Sequence, residues 1–359
     1  MENKSYFSER LSSILFLEIS KEKLMSLFKV YLDTNVYMPI KSEKIISEIK
    51  DKGELEEISV NNFIEGMYYV LGLDENFKYN DKYIELLLSF PSSIQFIKQL
   101  IFNEIKREKY EDAYIFINGL LLLEKNEDNF DKLLSVAEII REKDKGFLEE
   151  EVKIVDKAKQ LKSYAAPHLY EAIVKRDKGD FEAALFAVNN FIALGGKETK
   201  EVTEFIHSLK NVVSYEEGKA ILYENPDKAL KLLIPLLEEY SDNAPLYYNI
   251  AVGYRILQNH EKAIYYLNDA LIIDDALVEV VNELGINYAC IGDFNTAIQY
   301  LRKAFEATKS IEICTNLIMC YLDAGDIAQA KAHLEIAAKI DSKDEVVLEI
   351  QKLFEENKY

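Results

Sequence analysis

The chain has no tryptophan, only three cysteines and four histidines, and just six prolines and thirteen glycines among 359 residues. Each scarcity excludes something. Cys290, Cys314 and Cys320 are an odd set without close spacing, which excludes a disulfide framework and a zinc knuckle. They read as reduced thiols of a cytoplasmic protein, with Cys314 and Cys320 at packing positions. The histidines His168, His207, His260 and His333 are scattered, and neither His-Glu-x-x-His nor Cys-x-x-Cys occurs, so no metal site is expected. Few prolines and glycines leave long helices uninterrupted, and no sustained alternation of apolar and polar residues marks a strand.

No long apolar run exists either. Leu11 to Leu17 is short and is followed by Glu18, and Leu120 to Leu123 falls far below a membrane span; both read as buried helix faces. The start, Met1-Glu2-Asn3-Lys4-Ser5, lacks the basic cluster and apolar stretch of a secretory signal, so a cytoplasmic location is expected. Basic residues are outnumbered, 43 against 63 acidic, for a net charge of −20. Such a field repels nucleic acid and anionic lipid and attracts basic partners. A hydrophobic content of 49% excludes a disordered chain.

Catalytic signatures are missing as well. There is no Gly-x-Ser-x-Gly elbow and no dinucleotide fingerprint. Leu194-Gly195-Gly196-Lys197-Glu198-Thr199 imitates a phosphate loop, but the upstream glycine and preceding strand are absent, and it reads as a helix C-cap and turn. The expectation is a non-enzymatic protein with no cofactor.

What the chain does contain is an internal repeat. Ile250, Ala251, Tyr254, Ala263, Leu267 and Ala270 recur as Leu284, Gly285, Tyr288, Ala297, Leu301 and Ala304, and again as Leu317, Ile318, Tyr321, Ala330, Leu334 and Ala337. A period of about 34 residues marks a stack of helical hairpins. Small residues let paired helices approach, and the tyrosines and leucines fill the space between hairpins. Ile318 breaks the small-residue rule, so looser packing is expected there. Weaker copies surround Ala229, Ala184 and Ala113, and the longer gap between Ala184 and Ala229 predicts an extra or lengthened helix.

This pattern resembles the tetratricopeptide repeat family, most clearly over residues 244–343. The usual tryptophan at repeat position 4 is replaced by Tyr247, Val281 and Cys314, and the proline near the repeat end by Asp275, Lys309 and Ser342. The resemblance implies an all-α fold, a right-handed superhelical solenoid of antiparallel helix pairs. The expected organisation is an N-terminal helical region over 1–90, degenerate repeats over 91–209, tetratricopeptide-like repeats over 210–343 and a capping helix over 344–359. Within 1–90, helical spacing is read at Ser8 to Glu18, Lys21 to Leu32, Ser42 to Lys50, an amphipathic Asn61 to Leu73, and Lys82 to Phe90. Further on, Arg141 to Lys145 reads as a turn and Glu149-Glu150-Glu151 as a solvated helix start.

The resemblance also locates a working surface, because the family's first helices line a concave groove. The positions that point into it are here Tyr248, Asn249, Val252 and Arg255, then Asn282, Glu283 and Ile286, then Thr315, Asn316 and Met319. The lysines of a carboxylate clamp are missing, whereas Asn249 and Asn316 hold the place from which asparagines grip a peptide backbone, with Glu283 interrupting. The expected partner is a protein or peptide segment, with Glu283 favouring a basic one, and neither nucleic acid nor membrane. The alternative is a peptide-sensing receptor that acts on an effector through residues 1–90.

Overall fold

The computed structural model describes residues 6–46 and 58–356. The class is all-α with tetratricopeptide-like helical hairpins, and the chain divides into two compact units, Met1–Leu209 and Lys210–Tyr359.

The C-terminal unit is built from one repeated device. Helices Ala244–Ile256, Val278–Cys290 and Ile311–Asp323 each pair with the helix that follows, His260–Ile273, Phe294–Thr308 and Ile327–Ile340. Each pair turns through one residue in the left-handed region, Gln258, Gly292 or Gly325. The next residue, Asn259, Asp293 or Asp326, caps the second helix by accepting a backbone N–H at 3.1–3.2 Å. Local chemistry thus fixes the hairpin: a left-handed stop, then an acceptor for an orphan helix donor. Ala263, Ala297 and Ala330 are fully buried where the paired helices meet. Gly285 is required by the same approach, because a Cβ there would press into the Leu301 side chain. Ile318 occupies the equivalent place in the next hairpin and is itself fully buried.

The weaker copies adopt the same form. Asn225 caps Pro226–Leu233, burying Ala229 and Leu233. In the N-terminal unit, Ala166–Asp177 and Phe181–Ala193 turn through Gly179 and the Asp180 cap, burying Ala184, Ala187 and Val188. The gap after it is filled by one long helix, Lys200–Ala220. Gly195, with φ of 87°, ends Phe181–Ala193, and the Gly196 N–H returns to the Phe191 carbonyl, so this segment is a C-cap and no phosphate loop. The closing helix Glu345–Glu356 buries Val347, Ile350 and Phe354; the residues from 357 onward lie outside the described ones.

The first third of the chain departs from the sequence reading. Ser8 to Glu18 is a short 3-10 helix, Ser8–Ser13, followed by strand β1, Ile14–Ile19. Helix Lys21–Phe28 stops early because Lys29 turns left-handed, with φ of 57°. Strand β2, Val36–Lys41, then pairs antiparallel with β1, from Ile14 opposite Lys41 to Ile19 opposite Val36. Residues 42–46 continue as a helical turn, and the remainder of the helix expected to Lys50 lies outside the described residues. The run Ile-Leu-Phe-Leu-Glu-Ile carries no decisive period, which is why a helix and a strand compete for it.

Helix Val60–Leu73 is not amphipathic in place but buried almost all round. Glycines make that possible. A Cβ on Gly66 would overlap the Pro39 carbonyl, one on Gly72 the Ile115 carbonyl, and one on Gly119 the Tyr68 carbonyl. Backbone lies against backbone at all three points, so this helix is the centre of a core shared by β2 and helix Tyr110–Leu121.

Two charge readings also change. Arg141 stands inside helix Glu127–Lys143 and not in a turn; it is 2% exposed and paired with Glu151 and Asp177. Glu151 is fully buried, not solvated, because its helix, Leu148–Ala158, turns that residue toward Arg141.

Candidate interaction groove

The expected groove residues lie on three consecutive first helices, Ala244–Ile256, Val278–Cys290 and Ile311–Asp323. Tyr248, Asn249, Arg255, Asn282, Ile286 and Asn316 are half-buried, and Met319 is 41% exposed. Val252, Glu283 and Thr315 are buried: Val252 packs beneath Tyr248, and the Thr315 hydroxyl donates to the Glu312 carbonyl at 2.8 Å. These three shape the surface from below and offer it little area.

The polar residues do not act separately. Arg255 forms an ion pair with Glu283 through its Nε. Asn287 donates to the Glu283 carbonyl at 2.8 Å and to its carboxylate at 3.2 Å. The His260 ring nitrogen Nδ1 lies 3.0 Å from Asn287 Oδ1. Since the Asn287 amide nitrogen faces Glu283, its oxygen is the acceptor and His260 Nδ1 the donor. This chain of contacts ties the Ala244–Ile256 helix and the start of the His260–Ile273 helix to Val278–Cys290. Burying the Glu283 carboxylate is tolerable only because it is paired and hydrogen-bonded. Glu283 is therefore committed inside the protein and does not stand open to a basic partner.

Around that network, unspent polar capacity remains. Among the described residues no bond occupies the Arg255 Nη nitrogens, and Asn282 Oδ1 is buried without a hydrogen-bond partner. Asn249 spends its amide hydrogens on the Tyr215 hydroxyl at 3.1 Å and the Pro245 carbonyl at 2.9 Å, which leaves its oxygen. Among the described residues no hydrogen bond reaches the Asn316 side chain. The Tyr248 hydroxyl is pushed up to about 12 by its burial and then by Glu283, so it stays a neutral donor and acceptor. Free amide and guanidinium groups between apolar Tyr248, Ile286 and Met319 suit an extended backbone.

Sequence reading missed Asn287, which is fully buried, and the aromatic pairs that brace each hairpin. Tyr254 stacks on Tyr266 at 5.5 Å and Tyr288 on Tyr300 at 5.6 Å, while Tyr321 meets His333 at 5.1 Å. The signal was present, since twelve residues separate the members of each pair. Buried Cys314 and Cys320 are held thiol-protonated, each pushed up to about 11 by burial, whereas Cys290 is exposed. No helix among the described residues is long and apolar enough to cross a membrane.

Comparison with known proteins extends the resemblance. Residues 292–352 match the tetratricopeptide repeat family. The matched stretch spans helices Phe294–Thr308, Ile311–Asp323 and Ile327–Ile340. No curated protein matches the chain in sequence. Among solved structures, YrrB, described as a TPR protein with an unusual peptide-binding site, is 18% identical over 55% of this chain and 97% of its own, with a TM-score of 0.38. PilF of Pseudomonas aeruginosa is 14% identical over 72% and 96%, with a TM-score of 0.36. A thermophilic TPR protein of Thermus thermophilus, TTC0263, is 18% identical over 51% and 94%, with a TM-score of 0.33.

Proposed function

We propose that this chain is a non-enzymatic, cytoplasmic adaptor that binds an extended peptide or protein segment along the first helices of its repeats. The observation that carries the reading is the unspent polar capacity at Arg255, Asn249, Asn282 and Asn316, set among Tyr248, Ile286 and Met319. The Arg255 Nη nitrogens and the Asn316 amide offer donors to a bound segment's carbonyls and the Asn249 oxygen an acceptor to its N–H groups, while Asn282 meets the segment by turning its side-chain amide outward, since Oδ1 is buried. Exposed Glu279 and Glu312 and the net charge of −20 favour a segment with basic residues. The test is capture from native extract at low and moderate salt. One enriched partner, lost on replacing Asn249, Asn282 and Asn316 with alanine, is the expected result; capture unchanged in the triple variant removes the groove from the account.

A second reading is a peptide-sensing receptor that signals through its N-terminal part. One observation favours it: Met1–Leu209 is a compact unit with a hydrophobic core of its own, unlike an open repeat. A chain that begins at Lys200, keeping the long helix and the second compact unit whole, and that retains every partner eliminates it.

A further inference from the structure

The β1–β2 hairpin has two edges, and they are treated differently. Pro39 of β2 has no N–H, and the Tyr37 carbonyl accepts from the Tyr83 hydroxyl at 2.5 Å. Tyr37 and Pro39 therefore turn their backbone groups away from β1, and the ladder bonds run between the alternate pairs, Leu15 with Ile40, Leu17 with Met38 and Ile19 with Val36. The Pro39 carbonyl is pressed against Gly66. The outer edge of β2 is thus closed by a proline, a tyrosine hydroxyl and a helix.

The same alternation fixes what β1 presents. Phe16 and Glu18 direct their N–H and C=O groups outward, as Ile14 does its carbonyl, while the Ile14 N–H is spent on the Leu11 carbonyl. Among the described residues no backbone bond reaches this row; β2 and the 3-10 helix before it are the main neighbours of β1, and the Phe16 ring stacks on Phe77 at 5.2 Å while its main chain stays unpaired on this side. Exposed sheet edges are ordinarily blunted by lysine, proline or a bulge. β1 has none of these, and Leu15 is 44% exposed.

We propose that the outer edge of β1 is a second binding site, at which an extended segment of a partner protein adds a strand to the hairpin. The ligand chemistry follows from the strand. The outward N–H and C=O groups require a partner backbone in extended form. Leu15, Leu17 and Ile19 share a face with buried Val36, Met38 and Ile40, so every second residue of the segment is aliphatic. Glu18, exposed and bonded among the described residues to Asn35 at 3.2 Å, is the one charged residue in β1, so the intervening residues include lysine or arginine. Pairing of β1 with a second copy would bring together two chains of charge −20, which disfavours self-association.

The edge can be blocked without touching the ladder, because the Glu18 N–H points away from β2. Glu18→Pro removes that donor, and Glu18→Lys opposes a basic strand while keeping every backbone group. The probe is a fluorescent synthetic peptide alternating valine with lysine and threonine, together with its counterpart N-methylated at alternate amides. The full-length chain is expected to bind the first peptide and slow hydrogen exchange at the Phe16 and Glu18 amides. Either substitution, and N-methylation, should weaken binding at least about tenfold, the cost of roughly one good hydrogen bond or charge contact. Circular dichroism checks the fold of each variant, and if Glu18→Pro does not fold, Glu18→Lys decides. No binding by the unsubstituted chain, equal binding of the methylated peptide, or binding by a folded variant as tight as the parent overturns the proposal. So does a dimer of the parent that either substitution converts to a monomer.

Discussion

Gly72 and Gly285 both sit where two helices approach closely, yet they belong to different kinds of architecture. At Gly72 the nearest neighbour is the Ile115 main chain; at Gly285 it is the Leu301 side chain, with the Ala297 carbonyl farther off. The N-terminal unit is organised around one helix, Val60–Leu73, buried on nearly every side and touched by strand and helix backbone. The C-terminal unit has no such centre. Its hydrophobic clusters follow one another along the chain, each shared by adjacent hairpins. A central core concentrates its tolerance limits in a few backbone contacts, whereas a stack of repeats spreads them over exchangeable side chains.

The largest effect expected from that difference comes from one substitution made twice. Gly72→Ala should destabilise the N-terminal unit by about 3 kcal/mol, since a carbonyl cannot move aside, while Gly285→Ala should cost about 1 kcal/mol, since Leu301 can change rotamer. Urea unfolding of the two variants checks the ranking, and equal losses would erase the distinction between the units.

The next effect lies inside the repeats. Asn287→Ala leaves Glu283 and His260 without their shared partner, and a loss of about 2 kcal/mol is expected. In a stack of nearest-neighbour units the damage should stay local, so hydrogen exchange should quicken in Ala244–Ile256 and Val278–Cys290 before it does in the N-terminal unit.

A pH-dependent effect sets the N-terminal unit apart. The Glu151 carboxyl is pushed up to about 7 by burial, which outweighs the opposing pull of Arg141. An acid raised in the fold holds its proton there more tightly than in the unfolded chain. Its contribution is complete below the unfolded value of about 4.3 and is lost as pH rises through about 7. Glu151→Gln should flatten that part of the stability profile, measured as urea midpoints across the window, and should leave the repeats unaffected.

The smallest effect concerns a turn. Gln258 holds a φ of 59° where the equivalent residues are Gly292 and Gly325. Gln258→Gly should stabilise its hairpin by about 1 kcal/mol by relieving a conformation that side chains resist. Thermal unfolding of the variant checks the sign.

The comparison also explains what could be read in the sequence. The repeats were legible because Ala263, Ala297 and Ala330 must be small at fixed intervals, and the Asn259, Asp293 and Asp326 caps mark each turn. The β1–β2 hairpin was not, because Ile14 to Ile19 is an apolar run too short to show its period, and Pro39, a residue that ordinarily interrupts a strand, occupies a position that needs no donor. In the groove, the positions on successive first helices were implied by the family resemblance that the repeat spacing supports. Their commitments were not: Glu283 is neutralised by Arg255, 28 residues earlier, through a contact that no local pattern encodes.

The central claim is that the first helices of the repeats hold the partner, and hydrogen-exchange footprinting of the full chain with its captured partner tests it most directly. The account predicts slowed exchange in Ala244–Ile256, Val278–Cys290 and Ile311–Asp323. Protection confined to residues 6–209, with those three helices unchanged, would contradict it.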